Sequence, residues 1–122
     1  MMTIEQCYQA LGGSFAEVSM RLPSVRLVEK FIGKFLADGS FDALCQQMAS
    51  GSRQEAFRAA HTLKGVCANL GFGRLLSSSG RLTEVLRPEG DGIPAEAGAL
   101  MAEVREDYRV TVTAIRAYLE QA

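Results

Sequence analysis

The sequence predicts an all-α fold, an antiparallel four-helix bundle with one or two extra short helices at its N-terminal end. Apolar residues recur at spacings of three and four in almost every segment, and no segment alternates as a half-buried strand does. Short connections join the substantial helical segments, which favours antiparallel neighbours. With 122 residues, the chain is expected to form a single helical-bundle domain, residues 1–122, whose core needs no metal or disulfide.

Two short helices are predicted before the bundle. Thr3 and Gln6 have the spacing of a capping box, in which two side chains satisfy free backbone amides, and the glycine pair of LGGSF ends this helix. Ser14 and Glu17 form a second candidate capping box, which opens a short helical piece. Pro23 ends that piece and is suited to the first position of the next helix.

The longer helices follow in order, each bounded by a turn or cap signal. Gly51 and Gly71 are suited to C-terminal caps, and Ser52 with Glu55 is a third candidate capping box. Pro94 is expected to begin the last helix, after the loop RPEGDGIP. The predicted spans are 24–38, 41–50, 53–70, 72–86 and a final helix from 94. Positions predicted to face the core include Leu27, Val28, Phe31 and Ile32 in the first of these spans and Leu75, Leu76, Leu82 and Val85 in the fourth.

Composition argues against several classes of function. The net charge is −1 with both signs interspersed, so the sequence has neither a basic nucleic-acid footprint nor a polybasic membrane-binding block. No apolar run reaches the length of a membrane span, and MMTIEQCYQA lacks the pattern of a secretory signal. Cys7, Cys45 and Cys67 have no zinc-site spacing and are expected to be free, buried thiols. These features predict a cytoplasmic protein.

The only histidine, His61, is predicted to face solvent. On a helix over residues 53–70, at about 100° per residue, the apolar positions gather on one side and His61 lies on the other. The predicted buried stripe is Ala56, Ala59, Leu63, Val66 and Leu70, with Cys67 at its margin. The surface neighbours of the histidine include Phe57, Arg58, Lys64, Gly65 and Ala68.

Three properties of this face indicate a phosphoryl acceptor. Arg58 and Lys64 flank His61 and would attract an anion held on the imidazole. Gly65 costs about 1 kcal/mol against alanine in mid-helix, where no turn or cap needs it, so its expected role is to let a large partner approach. A neutral imidazole has a free ring nitrogen that can act as a nucleophile, and exposed imidazoles are partly neutral at cell pH.

The stretch AHTLKGVCANLG resembles the motif of histidine-containing phosphotransfer (HPt) domains, His-x-Leu-Lys-Gly with a glycine ten residues after the histidine. The matching residues are His61, Leu63, Lys64, Gly65 and Gly71. The resemblance implies a phosphocarrier in a multistep phosphorelay, not a turnover enzyme. His61 would take a phosphoryl group from a receiver-domain aspartate and pass it to another receiver, with electrostatic support from Lys64 and access provided by Gly65.

The resemblance also implies the partners. They are response-regulator receiver domains, a hybrid sensor histidine kinase, or both, and the chain itself is expected to be a monomer without a cofactor. The Mg²⁺ ion and the acceptor aspartate would belong to the receiver. A polar side chain on the following helix often steadies the histidine in this family, and Thr83 and Glu84 are loose candidates for that position.

Alternatives remain at this point. His61 without its neighbours is an ordinary surface histidine, and Arg58 and Lys64 are then a solvated charged face. Phe57 belongs either to a docking patch with Arg58 and Ala68 or folds over a neighbouring helix. The whole chain is alternatively an interaction module of the same fold that docks a receiver or another signalling protein without carrying phosphate.

Overall fold

A computed structural model describes residues 1–121 and contains seven α-helices, with no strand over that range. The all-α fold predicted from the sequence is confirmed. In chain order the helices are α1 (Ile4–Leu11), α2 (Phe15–Arg21), α3 (Val25–Phe35), α4 (Ser40–Ser50), α5 (Arg53–Leu70), α6 (Gly73–Leu86) and α7 (Ala97–Leu119). None of these helices is long and apolar enough to cross a lipid bilayer.

The helices pack as a bundle around α5, the helix that carries His61. Helix α5 lies between α4 and α6, α6 packs on α7, and α1 covers another side of α7. Helix α3 touches both α5 and α7. Buried aromatic rings pack between these helices. The ring centroid of Phe72 lies 6.0 Å from that of Tyr8 and 5.0 Å from that of Phe35. The one face of α5 that remains free is therefore the face turned away from the bundle.

Some cap signals in the sequence form as predicted. Thr3 and Gln6 make both hydrogen bonds of a capping box. The second predicted box forms only in part: the Ser14 hydroxyl accepts the amide of Glu17, but the Ser14 amide donates to the Gly71 carbonyl and not to the Glu17 side chain. The predicted box of Ser52 with Glu55 is wrong, because Ser52 makes no side-chain cap bond. The Glu55 carboxylate is instead drawn to an arginine one turn along α5, at 2.7 Å.

The two helix starts predicted at proline lie further along the chain. Helix α3 begins at Val25, because the Ser24 hydroxyl accepts the amide of Leu27 and makes Ser24 the N-cap, so Pro23 stands outside the helix. Helix α7 begins at Ala97 rather than at Pro94. The Pro94 carbonyl accepts the Ala97 amide at 3.0 Å, which forms a separate turn before the helix.

The buried stripe of α5 is rotated relative to the predicted one. Ala60 and Cys67 are completely buried, whereas Ala59 and Val66 are only half-buried. The physical reason is that α4 and α6 cover α5 from two sides, so the buried arc is centred between them. Cys45, on α4, is half-buried rather than buried, although all three thiols are free.

Two other helices differ from the predicted core faces. Leu27 of α3 is 36% exposed, and Leu76 and Val85 of α6 are half-buried. The fully buried polar positions of α6 are Ser78, Ser79 and Thr83. Their hydroxyls donate to carbonyls three or four residues back in the same helix, so this poor helix-forming stretch enters the core without unsatisfied donors.

The N-terminal segment closes the C-terminal end of α5. The Tyr8 hydroxyl donates to the Leu70 carbonyl at 2.7 Å, and the Arg21 guanidinium donates to the carbonyls of Ala68 at 2.7 Å and Asn69 at 3.1 Å. These carbonyls have no amide partner one turn ahead in the helix, so each needs another donor. The positive charge of Arg21 also complements the negative end of the helix dipole.

Glycines allow the two backbones to come this close. Gly71 ends α5 with φ of 71°, which is the left-handed region that glycine adopts without strain. The Ser14 amide donates to the Gly71 carbonyl at 2.9 Å, and a Cβ on Gly13 would overlap that same carbonyl oxygen. The glycine pair of LGGSF therefore serves close packing as well as the turn predicted for it.

Candidate functional site

His61 lies on the solvent side of α5. It is exposed, and the residues at the predicted surface offsets, Phe57, Lys64 and Gly65, surround it on the same face. Within the described residues, no group makes a hydrogen bond to the imidazole. Both ring nitrogens are therefore open to solvent and to an incoming molecule.

Gly65 leaves a length of α5 backbone uncovered one turn after the histidine. A Cβ built on Gly65 has no neighbour within 4 Å in the described part of the chain, apart from its own helix. The fold therefore does not need glycine here, in contrast to Gly71, where an added Cβ would lie 2.8 Å from the Ser14 carbonyl oxygen. Gly65 therefore lowers the stability of the helix without improving the packing of this chain.

Lys64 extends from α5 across α6. Its side chain is half-buried, and its Cε and Cδ lie 3.8 and 3.9 Å from the position of a Cβ on Gly80. Within residues 1–121 it takes part in no ion pair. The apolar stem rests on the neighbouring helix, and the ammonium group stays available for an anion near His61.

Arg58 differs from Lys64 in this respect. Its guanidinium binds the Glu55 carboxylate at 2.7 Å, and both side chains are largely exposed. The sequence suggested that the positive charge of Arg58 would attract an incoming anion, but Glu55 already balances that charge. Ala68, the other predicted contact residue, is half-buried and lies two turns beyond His61, where its carbonyl accepts the bond from Arg21.

Phe57 combines both roles that the sequence left open. Its ring centroid lies 5.9 Å from that of His61, so it forms part of the same surface. The ring is half-buried and packs against the core, and the Arg87 guanidinium from the end of α6 lies 5.0 Å above it. That distance is within the range of a cation–π contact.

The second helix of the site brings an ion pair that the sequence analysis did not single out. Arg87 donates to the Glu84 carboxylate through two nitrogens, at 3.2 and 2.8 Å. These hydrogen bonds, with the charges of Arg87, Lys64 and His61, hold the pKa of Glu84 below its ordinary value. The i,i+3 spacing of Glu84 and Arg87 in the sequence could have predicted the ion pair. Nothing in the sequence predicted that the pair would lie beside α5.

Of the two candidates for steadying the histidine, only one reaches this face. Thr83 is completely buried and its hydroxyl donates to the Ser79 carbonyl at 2.6 Å, so its hydrogen bond is used inside α6. Glu84 is exposed on the site side, although it makes no hydrogen bond to His61 and its partner is Arg87.

Among known proteins, the sequence matches one family model. Neither a curated protein nor a solved structure matches the sequence. The model of the Hpt domain family matches residues 26–122, so α1 and α2 lie before the matched range. Because this match covers most of the chain and contains His61, Lys64 and Gly65, the chain belongs to the Hpt domain family.

Proposed function

We propose that this protein is a phosphocarrier of a multistep phosphorelay, with His61 as the phosphoacceptor. Hpt domains act in two-component signalling as phosphate carriers rather than as turnover enzymes. The observation that carries the proposal for this chain is the pairing of an exposed imidazole with uncovered backbone at Gly65. A carrier needs both a nucleophile and room for a whole partner domain around it.

The chemistry that this site supports is an in-line transfer. An unprotonated ring nitrogen of His61 attacks the phosphorus of an aspartyl phosphate on a receiver domain. A P–N bond forms as the P–O bond to the aspartate breaks, and the aspartate leaves as a carboxylate with the bonding electron pair. The other ring nitrogen keeps its proton during the attack. Reversal of these steps on a second receiver passes the group onward.

Lys64 would neutralise the charge of the phosphoryl oxygens. Its ammonium group has no competing ion pair in the described chain, and its stem lies over α6 where Gly80 carries no side chain. Phosphoryl transfer depends mainly on positioning and charge neutralisation, so one free lysine is a meaningful contribution. The receiver would supply Mg²⁺ and the acceptor aspartate, and the chain itself needs no cofactor for its own part.

The docking surface proposed for the receiver surrounds this site. Phe57 supplies apolar area next to the imidazole, Gly65 supplies close backbone approach, and Ala68 extends the small-residue surface toward the end of α5. Arg58 lies at the rim, where its bond to Glu55 is exposed and can be exchanged at little cost. A hybrid sensor kinase that carries a receiver would meet the same surface.

The test is phosphoryl transfer from purified phosphorylated receivers of the source organism. We expect label that is acid-labile and alkali-stable on the wild-type chain, and none on His61→Gln, which removes the sole histidine. Equal labelling of His61→Gln, or no transfer from any receiver, would contradict the proposal. A chain that binds receivers tightly but takes up no phosphate would support the alternative of an interaction module.

A further inference from the structure

The end of α6 places a charged pair against the histidine surface. Arg87 lies over the Phe57 ring at 5.0 Å, and the same ring lies 5.9 Å from the imidazole of His61. The partner of Arg87, Glu84, borders the same surface depression as Lys64 and Gly80. The pair therefore occupies the α6 side of the site, with Arg87 over Phe57 and Glu84 beside Lys64.

The two members have opposite charges and are both ionised at neutral pH. Glu84 holds its negative charge more firmly than an ordinary glutamate, because Arg87 binds it and the charges of Lys64 and His61 also lower its pKa. Both side chains are more than half exposed. A bond between exposed groups is weak and exchanges easily, so an arriving dianion can compete with Glu84 for Arg87.

We propose that Glu84 and Arg87 set how long the phosphoryl group stays on His61, with Glu84 promoting its departure and Arg87 retaining it. This inference rests on the proposed function and adds two positioning residues to it. In the free protein Arg87 is held by Glu84. In the phosphorylated protein, the Glu84 carboxylate and the phosphoryl group share the Arg87 guanidinium. The negative charge of Glu84 that Arg87 then no longer balances repels the phosphoryl group.

Cleavage of the phosphohistidine explains why the signs should oppose each other. In hydrolysis, water forms a new O–P bond, the N–P bond breaks, and the imidazole nitrogen leaves with the electron pair and receives a proton from water. A nearby carboxylate favours the protonated ring, which is the better leaving group, and disfavours the bound dianion. A nearby guanidinium has both effects in the opposite sense.

The experiment measures the lifetime of phosphohistidine without any receiver. Phosphoramidate loads the chain, excess donor is removed, and loss of phosphate is followed by ³¹P NMR. We expect Glu84→Gln to lengthen the half-life about two- to fivefold and Arg87→Gln to shorten it by a similar factor, as befits exposed charges. Arg87→Lys, which keeps the charge, is expected to lie close to the wild type.

A matched pair on α7 provides the control. Glu106 and Arg109 have the same i,i+3 spacing and the same two-nitrogen contact, and neither His61 nor Lys64 contributes to the lowered pKa of Glu106. Glu106→Gln should therefore leave the half-life unchanged. Raising ionic strength should also shrink the difference between Glu84→Gln and the wild type, since exposed charges are screened.

The outcomes separate this inference from the proposed function. If the wild type loads and decays but Glu84→Gln and Arg87→Gln decay at the same rate, the inference is wrong and the phosphocarrier function stands. Shifts of both variants in one direction, or an equal shift in Glu106→Gln, also overturn it. A wild type that takes up no phosphate on His61 contradicts the proposed function and this inference together.

Discussion

The hydroxyl of Tyr8 is the best single test of how the N-terminal segment supports the helix that carries His61. Tyr8 is 1% exposed and donates to the Leu70 carbonyl at 2.7 Å. The amide that would continue the helix to that carbonyl belongs to Arg74, and it donates to the Gly12 carbonyl instead. Tyr8→Phe removes the donor and keeps the ring, which packs edge-on against Phe15. The buried Leu70 carbonyl then loses its partner.

The expected cost follows from leaving a buried acceptor unsatisfied. Such a loss is about 1–3 kcal/mol in free energy of unfolding. With an unfolding entropy of about 2.1 cal/mol/K per residue, a chain of 122 residues loses about 4 °C of Tm per kcal/mol. Tyr8→Phe should therefore lower Tm by about 4–12 °C. Thermal unfolding followed by circular dichroism, with urea unfolding at fixed temperature, measures both quantities.

Tyr118 provides the matched control. Its hydroxyl donates to the Glu29 carboxylate at 2.6 Å in a half-buried position. Water can replace this donor, so Tyr118→Phe should cost less than about 1 kcal/mol. A Tyr8→Phe variant no less stable than Tyr118→Phe would refute the reasoning. His61 lies more than two turns from Leu70, so folded Tyr8→Phe should still accept phosphate at the wild-type rate.

Three further predictions concern the site and the buried thiols. Gly65→Gln should impair transfer from a receiver without lowering Tm, because its Cβ meets open space, and Gly98→Gln adds the same bulk to open space on α7 as a control; undiminished transfer would end the access argument. Lys64→Ala should slow transfer about fivefold, equivalent to about 1 kcal/mol of charge stabilisation, with unchanged Tm; unaltered kinetics in a rapid-quench assay would remove its assigned role. Burial raises the pKa of Cys7 to about 11 and of Cys67 to about 12 from an ordinary 9.0, so the folded chain keeps protons that the unfolded chain loses. Their contribution to stability is complete below pH 9.0 and is lost as the pH rises from there through about 11 for Cys7 and about 12 for Cys67. Urea unfolding from pH 7 to 10.5 under reducing conditions should show that decline, and a flat profile would count against it.

Local signals in the sequence predicted most of the secondary structure. The Thr3–Gln6 box and the cap at Gly71 depend on residues within one turn of each other, and both formed as expected. The failed box at Ser52 shows the limit of such signals, since Glu55 has a competing partner three residues ahead of it, at Arg58. A spacing pattern identifies possible bonds, and the geometry chooses among them.

The site divides in the same way. The outward direction of His61 and the uncovered backbone at Gly65 follow from the period of one helix, so the sequence alone was sufficient for both. The position of Arg87 over Phe57 joins two helices separated by a turn. No spacing rule predicts it, because it depends on how far α6 is rotated and displaced against α5.

What the sequence determined by itself is therefore the helices, their outer faces and the motif that contains His61. What only the tertiary structure decided is which groups from other elements meet those faces: Tyr8 and Arg21 at the end of α5, and Glu84 with Arg87 beside the histidine. The physical reason is that helix periodicity is set by hydrogen bonds within a few residues. The meeting of two helices is set instead by side-chain packing summed over the whole interface.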